Sequence, residues 1–492
     1  MRPHPHLLEI AAWPWLERLS REEGRLVTLA GVPGAYWDAI ARHGFDCVFL
    51  MGVWRRSPIG REIAHTDRGL IAAYDRVLPG WTDADVVGSP YCIQGYEPDD
   101  RMGGWQGVDA VHRQLRDRGI RLLLDFVPNH TAFDHPWIAT HPERYVLGTR
   151  DDCERAPAEF RQTIAANGRP NYIACGRDPY FPPWTDVAQL NYFNLDTRAA
   201  MVDTLRSIAA HCDGVRCDMA MLVFNAVFER TWRWLLGNRW STPASEFWTD
   251  ATRSVPELLY LAEVYWELEG RALDQGFTFA YDKRLLDALH APHPAARVRA
   301  VLAAEHPDSP RLARFLENHD EPRSAATLVH SLPAVAALLG SVPGMRFFYD
   351  GQLNGHRVKA PVQLGRWPDE PVDVTILDLY DRTLRFASHS VLHAGTWRHL
   401  NVLPASDDTW QNIVAYRWRT NDALSVITLN LGGIASEGHV DVADDLRSGN
   451  TFDFDDALTG RTYNWTRASL LQRGLWVRLG PGQAHLFAVR SA

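Results

Sequence analysis

Short apolar segments of β-forming residues alternate with amphipathic helical segments through roughly the first 390 residues of the chain. This alternation is typical of repeated βα units around a parallel sheet, and eight such units close a barrel. We therefore predict an α/β fold of the (β/α)8 TIM-barrel type. The eight predicted strands are 26–30, 47–51, 121–125, 213–217, 258–262, 277–281, 313–317 and 345–349.

One connection is too long for an ordinary βα loop. About ninety residues separate the third and fourth predicted strands, and 131–188 is rich in Pro, Gly, Asp and aromatic residues without a helical period. We expect 131–188 to form an inserted B domain over the C-terminal mouth of the barrel. The barrel itself, domain A, is then assigned to 1–130 and 189–394.

The last part of the chain, 395–492, has a different pattern. Short runs with alternating apolar residues, such as 412–418, 424–431 and 475–480, are separated by Gly, Asn and Asp. A period of two residues with turn residues between the runs predicts antiparallel strands. We therefore expect a C-terminal antiparallel β-sandwich, domain C.

Charge and composition exclude several classes of partner. Acidic residues outnumber basic ones by 60 to 51, and no block of Lys or Arg forms a phosphate-binding stripe, so nucleic acid is not expected as a partner. The N-terminus lacks the apolar core of a signal peptide, and no stretch has the length of a membrane span. Six scattered cysteines form no C-x-x-C pair. These features favour a cytoplasmic protein with reduced thiols and no membrane partner, and they favour no particular oligomeric state.

Polar and charged residues follow four of the predicted strands directly, at the end where a barrel presents side chains to its substrate. A single carboxylate at such a point is usually a helix cap or a surface charge. Four such segments, which follow the third, fourth, fifth and seventh predicted strands in order, indicate a catalytic site instead. The four segments are DFVPNH at 125–130, DGVRCDMAM at 213–221, LAEVYW at 261–266 and ENHDEPR at 317–323.

With these segments the sequence resembles the α-amylase family of glycoside hydrolases, also called glycoside hydrolase family 13. VAQLN at 187–191 and the GSPY…GY pattern at 88–96 are similar to two further segments of that family, so the resemblance covers nearly the whole chain. It implies a barrel with an inserted B domain and a C-terminal β-sandwich. It also implies a small carbohydrate as substrate and no required cofactor.

The resemblance implies roles for individual residues. Asp218 corresponds to the nucleophile, Glu263 to the general acid/base, and Asp320 to a third carboxylate that distorts and stabilises the sugar. The residues implied to bind substrate are Tyr91, His130, Arg216, His319 and Arg323, and Asp125 is implied to support the site by orienting Arg216.

A retaining glycosidase needs one ionised carboxylate to attack the anomeric carbon and one protonated carboxyl to release the leaving oxygen. Arg216 lies two residues before Asp218, so the two side chains share a face of a strand and can pair, which favours the charged form of Asp218. The apolar residues before Glu263 favour its protonated form. We therefore expect a lowered pKa for Asp218 and a raised one for Glu263.

Three positions bear on calcium and specificity. Asn129 resembles a family ligand of a structural calcium, but the sequence shows no further members of a calcium site, which needs six or more oxygens. A structural calcium is therefore left open. Gln189 stands where relatives that discriminate between linkages usually carry Asp or Lys, and 349–366 departs from the common ending after the eighth strand.

The leading hypothesis is hydrolysis of α-glucosidic bonds in small malto- or isomalto-oligosaccharides. A transglycosidase or a phosphorylase would use the same three acids, so both remain alternatives. A catalytically silent, sugar-binding relative is a third alternative, of another class. Such a protein is expected to have lost members of the acid trio, and Asp218, Glu263 and Asp320 are all present.

Overall fold

The computed structural model describes residues 1–303, 309–446 and 448–491. Eight parallel strands form a closed barrel in which each strand pairs with the next along the chain and the eighth pairs with the first. The predicted TIM barrel is thus confirmed. The barrel strands are His6–Ala11, Cys47–Met51, Arg121–Phe126, Gly214–Cys217, Leu259–Ala262, Phe279–Tyr281, Leu312–Phe315 and Met345–Tyr349.

The predicted first strand, 26–30, is wrong. The first barrel strand is His6–Ala11, all of whose residues are buried, whereas 26–30 runs into a 3-10 turn at Leu29–Gly31. Glu9 obscured this strand in the sequence, because a carboxylate within an apolar run usually indicates an exposed position. The other seven predicted strands overlap the observed ones.

Amphipathic helices lie around the barrel and pack with their apolar faces inward, and Leu332–Leu339 is buried along nearly its whole length. In Gly104–Arg116 the residues Val108, Val111 and Leu115 are buried, at the spacing that places them on one side of a helix. The helices around the barrel are Ala12–Glu23, Gly34–Arg42, Pro58–Thr66, Arg68–Val77, Gly104–Arg116, Leu195–Ala209, Asn225–Leu236, Phe247–Ser254, Glu269–Asp274, Lys283–His290, Pro294–Ala303, Ser324–Thr327, Leu332–Leu339, Val374–Ala387 and Val391–Ala394. None of the helices in the described ranges has the length and apolar character needed to cross a membrane.

A four-stranded antiparallel sheet lies in the long connection after the third barrel strand. In spatial order its strands are His130–Ala132, Trp184–Gln189, Pro170–Gly176 and Phe160–Ile164, with short helices at Pro136–Thr140 and Arg150–Arg155. His130 pairs in register with Gln189. This sheet therefore begins directly at the end of a barrel strand, which fixes it beside the mouth of the barrel.

The C-terminal part consists of two antiparallel sheets. One contains six strands, and the other contains Val402–Pro404, Ser436–Val440 and Leu475–Leu479. The indole of Trp418 donates to the backbone oxygen of Ser341 at 2.6 Å, which joins the larger sheet to the barrel. The six strands of that sheet are Thr396–Leu400, Ile413–Arg419, Leu424–Asn430, Ala484–Ser491, Thr451–Asp456 and Thr462–Thr466.

Candidate active site

A cavity of about 720 Å³ lies at the C-terminal ends of the barrel strands. The loops after the third, fourth, fifth and seventh strands converge there with the inserted sheet. Of the residues predicted to act on substrate, five line this cavity: Tyr91, His130, Asp218, Glu263 and Asp320.

Arg216 lies at the centre of the site and is fully buried. Its Nη1 donates to Asp218 Oδ1 at 2.9 Å, as expected from their spacing on the fourth strand. Its Nη2 lies 2.9 Å from Glu263 Oε2 but is not aligned for a hydrogen bond, so that contact is purely ionic. One guanidinium thus holds both carboxylates side by side.

Glu263 has two further hydrogen bonds. Tyr265 donates its hydroxyl proton to Oε1 at 2.9 Å, and the backbone N–H of Met219 donates to Oε2 at 2.6 Å. Met219 has a φ of 40°, in the left-handed region that non-glycine residues rarely adopt, and such strain is concentrated at functional sites. The turn after the fourth strand therefore brings the Met219 N–H to the carboxylate at the end of the fifth.

The protonation of the carboxylate pair differs from the expectation for Asp218. Burial, and then the neighbouring Glu263 carboxylate, raise the pKa of Asp218 to about 8, and the opposing effect of Arg216 is smaller. Two buried carboxylates beside one cation cannot both ionise easily, so the pair holds one proton near neutral pH.

His319 connects the first and seventh barrel strands. Its Nδ1 lies 2.5 Å from Glu9 Oε1, and its Nε2 lies 2.8 Å from the Tyr91 hydroxyl and 3.0 Å from Asp320 Oδ2. Burial lowers the pKa of His319, but the carboxylates of Asp320 and Glu9 outweigh burial and raise it well above its usual value. His319 is therefore an imidazolium between two carboxylates.

The imidazolium affects Asp320 in turn. Burial alone would raise the pKa of Asp320, but His319 holds it well below the usual range, so this carboxylate stays ionised. Lys359 donates to the backbone oxygen of Asp320, and Lys283 Nζ lies 2.8 Å from Glu321 Oε1 on the same loop. The loop that carries the third carboxylate is thus held by three cationic side chains.

His130 is oriented from the inserted sheet. Asn129 Nδ2 donates to His130 Nδ1 at 3.3 Å, which leaves Nε2 as the protonated nitrogen. Burial lowers the pKa of His130 to about 4, so the ring is neutral at neutral pH. His130 thus contributes a neutral imidazole to the wall of the cavity.

Asp125 has a supporting position, but its bonded partner is not Arg216. Its Oδ2 accepts the backbone N–H of Gly52 at 2.6 Å. Gly52 has a φ of 79°, and a Cβ there would lie 2.9 Å from Pro90, so only glycine fits. Asp125 therefore fixes the end of the second strand, and it acts on Arg216 only through its charge.

The side chain of Asn129 is paired with that of Gln189. Its Oδ1 accepts a hydrogen bond from Gln189 Nε2 at 2.9 Å, and its Nδ2 donates to Gln189 Oε1 at 3.2 Å. Across the described ranges, no group of three or more His, Cys, Asp or Glu side chains could hold a metal ion. An amide pair thus links barrel and inserted sheet at the position predicted as a metal ligand.

Arg323 lies outside the cavity lining. Its Nη1 donates to Glu317 Oε1 and to the backbone oxygen of Asp350, both at 2.8 Å, and its guanidinium covers the Tyr349 ring at 4.2 Å. The structure therefore does not place this predicted substrate-binding residue in the cavity lining. It supports the loop after the seventh strand.

Several residues of the site were not identified from the sequence. Glu9 was missed because the first strand was misassigned, and Tyr265 and Met219 carried no signal beyond their nearness to the acids. The inserted sheet and its loop contribute Phe181, Trp184 and Asp186 to the cavity. Their side chains could not be placed without knowing how the inserted sheet is oriented.

No family model matches the chain. Among characterised proteins it is similar to an α-amylase, MalA, of Haloarcula japonica, with 26% identity over 66% of this chain and 44% of that protein. It is also similar to α-1,4-glucan:maltose-1-phosphate maltosyltransferase 2 of Streptomyces coelicolor, with 24% identity over 97% of this chain and 67% of that protein. The chain thus spans less than half of the first relative and about two thirds of the second.

Solved structures share the fold along the whole chain. The noncanonic maltogenic α-amylase AmyB from Thermotoga neapolitana superposes with a TM-score of 0.67 at 18% identity, covering 99% of this chain and 98% of that one. An α-amylase from Geobacillus thermoleovorans, complexed with acarbose, gives a TM-score of 0.66 at 18% identity and the same coverage. At such identities the likeness establishes the fold.

Proposed function

We propose that this chain is a glycoside hydrolase of the α-amylase family, to members of which it is similar, and that it cleaves α-glucosidic bonds in small oligosaccharides with retention of configuration. The observation that carries the proposal is the pairing of Asp218 and Glu263 on the single guanidinium of Arg216. A retaining mechanism requires one carboxylate that attacks the anomeric carbon and one protonated carboxyl near it that releases the leaving oxygen.

In the first step the single proton of the pair lies on Glu263, and the ionised Asp218 attacks the anomeric carbon and forms an ester bond to it. The bond from that carbon to the leaving oxygen breaks, and this oxygen takes the proton of Glu263. In the second step Glu263 accepts a proton from water, the water oxygen bonds to the anomeric carbon, and the ester to Asp218 breaks. Arg216 remains in contact with both carboxylates and balances their charge.

The cavity favours an uncharged substrate. Five carboxylates line it, and no lysine or arginine is among its lining residues in the described chain. A phosphate group needs cationic or backbone N–H partners, so these walls favour a neutral sugar over a sugar phosphate. The five carboxylates are Asp186, Asp218, Glu263, Asp320 and Glu321.

Aromatic side chains supply the apolar part of the walls. Tyr91, Phe181, Trp184 and Tyr265 line the cavity and can stack on the faces of sugar rings. A volume of about 720 Å³ lies within the range of pockets that enclose a small ligand. Small malto- or isomalto-oligosaccharides therefore suit it as substrates.

Transfer to a second sugar is a second candidate. The Streptomyces relative, which matches over 97% of this chain, is a maltosyltransferase. Transfer uses the same glycosyl-enzyme, with a sugar hydroxyl in place of water. Incubation with maltose or maltotriose distinguishes the two activities, because hydrolysis yields shorter products and transfer yields longer ones.

The test is a product profile on maltose, maltotriose, isomaltose, sucrose, trehalose and starch, with the anomeric configuration followed by NMR. We expect α-configured first products, and a loss on the order of 10⁴-fold or more for Asp218→Asn. Azide should restore turnover of a nitrophenyl α-glucoside by Glu263→Ala and yield the α-azide. Inverted first products, or full activity of Asp218→Asn, would overturn the proposal.

A further inference from the structure

A second cavity, of about 770 Å³, lies next to the catalytic one and shares none of its lining residues. We call it the outer cleft, and its defining residues are Trp13, Arg56, Arg61, Trp81, Asp83 and Asp99. The cleft is as large as the catalytic cavity and has no part in the mechanism above.

One segment of chain, 87–91, borders both cavities. Val87 lines the outer cleft, whereas Ser89 and Tyr91 line the catalytic cavity. Arg56 Nη1 donates to the backbone oxygen of Gly88 at 2.6 Å, which holds this wall from the outer side. A ligand in the outer cleft would therefore lie close to the entrance of the catalytic cavity.

Arg56 is the unusual residue of the outer cleft. Its side chain is only 8% exposed, and within the described ranges it forms no ion pair with a carboxylate. Its Nε has no hydrogen-bond partner there, and burial lowers its pKa to about 10. The Nε atom is too deeply buried for a ligand to reach, and Nη1 donates to the backbone oxygens of Gly88 and Val362, so Arg56 is a fixed part of the wall of the cleft.

The other groups in the outer cleft define the class of ligand. Arg61 gives its hydrogen bonds to the backbone oxygens of Val86 and Asp83, at 2.7 and 2.8 Å. The exposed carboxylates of Glu62 and Asp83 lie beside it. Charges of both signs are present without a cationic excess, which suits an uncharged ligand with many hydroxyl groups better than an anion.

Two tryptophans complete the outer cleft. Trp81 is half-buried, and its indole N–H donates to Asp75 Oδ1 at 2.8 Å, so that the ring is held in place. Trp13 lies under the Arg56 guanidinium at 5.2 Å. A fixed indole beside planar polar side chains offers stacking and hydrogen bonding together, which is the combination that a pyranose ring requires.

We propose that the outer cleft is a second sugar-binding site that holds an uncharged α-glucan segment beside the catalytic cavity without cleaving it. The choice of an α-glucan rests on the proposed function, whereas sugar binding itself rests on the cleft. Long substrates would gain affinity from the cleft, and substrates confined to the catalytic cavity would not.

Gel retardation tests the proposal without turnover. The Asp218→Asn protein is run in native gels that contain amylopectin, dextran or polygalacturonate. We expect retardation by amylopectin and an apparent affinity about tenfold weaker when Trp81→Ala is added, which is the scale of losing one stacked ring. Trp476→Ala, which removes a 41% exposed tryptophan from a C-terminal sheet, is the matched control and should leave retardation unchanged.

A second variant, which fills the outer cleft, controls for the case in which Trp81→Ala fails to fold. Ala84 is exposed and lines the outer cleft, so Ala84→Arg places a long side chain across it without disturbing the core. This variant should weaken retardation as well, while hydrolysis of a nitrophenyl α-glucoside by the otherwise native enzyme stays unchanged. Because gel retardation measures binding and not turnover, its result does not depend on whether the chain is a glycosidase.

Three results would overturn the proposal. One is equal retardation of the Trp81→Ala, Ala84→Arg and Trp476→Ala proteins. Another is no retardation of the Asp218→Asn protein by amylopectin. The third is retardation by polygalacturonate in place of the neutral polymers, which would show an anion site.

Discussion

Glu9 Oε1 lies 2.5 Å from His319 Nδ1, beneath the catalytic cavity, and both side chains are fully buried. A buried carboxylate at this distance fixes the orientation of the imidazole and stabilises its protonated form. Because His319 also contacts Asp320, the charge of the third carboxylate depends on a residue that does not line the cavity. We regard Glu9 as a positioning residue.

We predict that Glu9→Gln lowers kcat/KM about 10- to 100-fold, the scale of one charge-assisted hydrogen bond. The amide can still accept from Nδ1 but carries no charge, so the pKa of His319 falls towards its usual value. In the variant, His319 therefore loses its proton at a lower pH than in the wild type. We expect activity to fall first at the alkaline end of the pH profile. Glu17→Gln, on the surface, is the control. An unchanged profile for Glu9→Gln would show that Glu9 has only a packing role.

The carboxylate pair predicts the alkaline limit of the wild-type enzyme. The pKa of Asp218 is raised to about 8, so the pair keeps its single proton up to that pH and loses it above. We expect kcat/KM to fall as pH rises beyond about 8, because no proton then remains for the leaving oxygen. A profile that stays flat to pH 10 would contradict the shared proton.

The raised pKa of Asp218 also makes the stability of the folded state depend on pH. A carboxyl whose folded pKa is raised binds a proton in the folded state that the unfolded state has lost, so stability falls as pH rises from about 4 to about 8. Asp218→Asn removes this dependence. We predict that the variant becomes more stable than wild type by on the order of a few kcal/mol towards pH 8, with no difference near pH 4. Denaturant unfolding at several pH values measures this.

Much of this architecture could be predicted from the sequence, and the exceptions share a cause. Apolar runs located seven of the eight barrel strands, because buried parallel strands contain few polar residues. The strand His6–Ala11 was not predicted, because the charge of Glu9 within it is balanced by His319, which lies 310 residues further along the chain. No local pattern reports a partner at that distance.

The predicted site residues also include some that the structure places in the cavity and some that it does not. The acids, Tyr91 and His130 follow strand ends or known motifs, and the structure brings them into one cavity. Arg323 and Asn129 occupy motif positions too, but the side chain of each is bonded to another residue, Glu317 of the same segment for the first and Gln189 of the segment 187–191 for the second. A motif predicts the position of a residue in the fold, but the contacts of its side chain depend on the residues that lie around it.

The amide pair of Asn129 and Gln189 predicts independence from calcium. Chelation with EDTA should leave both Tm and activity unchanged, because the Asn129 oxygen already accepts a hydrogen bond. Gln189→Ala should lower the free energy of unfolding by about 1–3 kcal/mol, since it leaves a buried amide without its partner. Gln162→Ala, at an exposed position of the same inserted sheet, is the matched control. A fall in Tm with EDTA would show that a metal ion is bound after all.

Only two of the 51 basic residues in the chain are lysines, Lys283 and Lys359, and both contact the loop that carries Asp320. An ammonium is compact and can approach a backbone oxygen where a planar guanidinium would not fit. We predict that Lys359→Met lowers kcat/KM several-fold with little change in Tm, because Lys359 is exposed and acts only on the position and charge of Asp320. Lys359→Arg should restore the activity only in part. Full recovery with arginine would mean that charge alone matters at this position, and a large fall in Tm for Lys359→Met would mean that the lysine supports the fold rather than the loop.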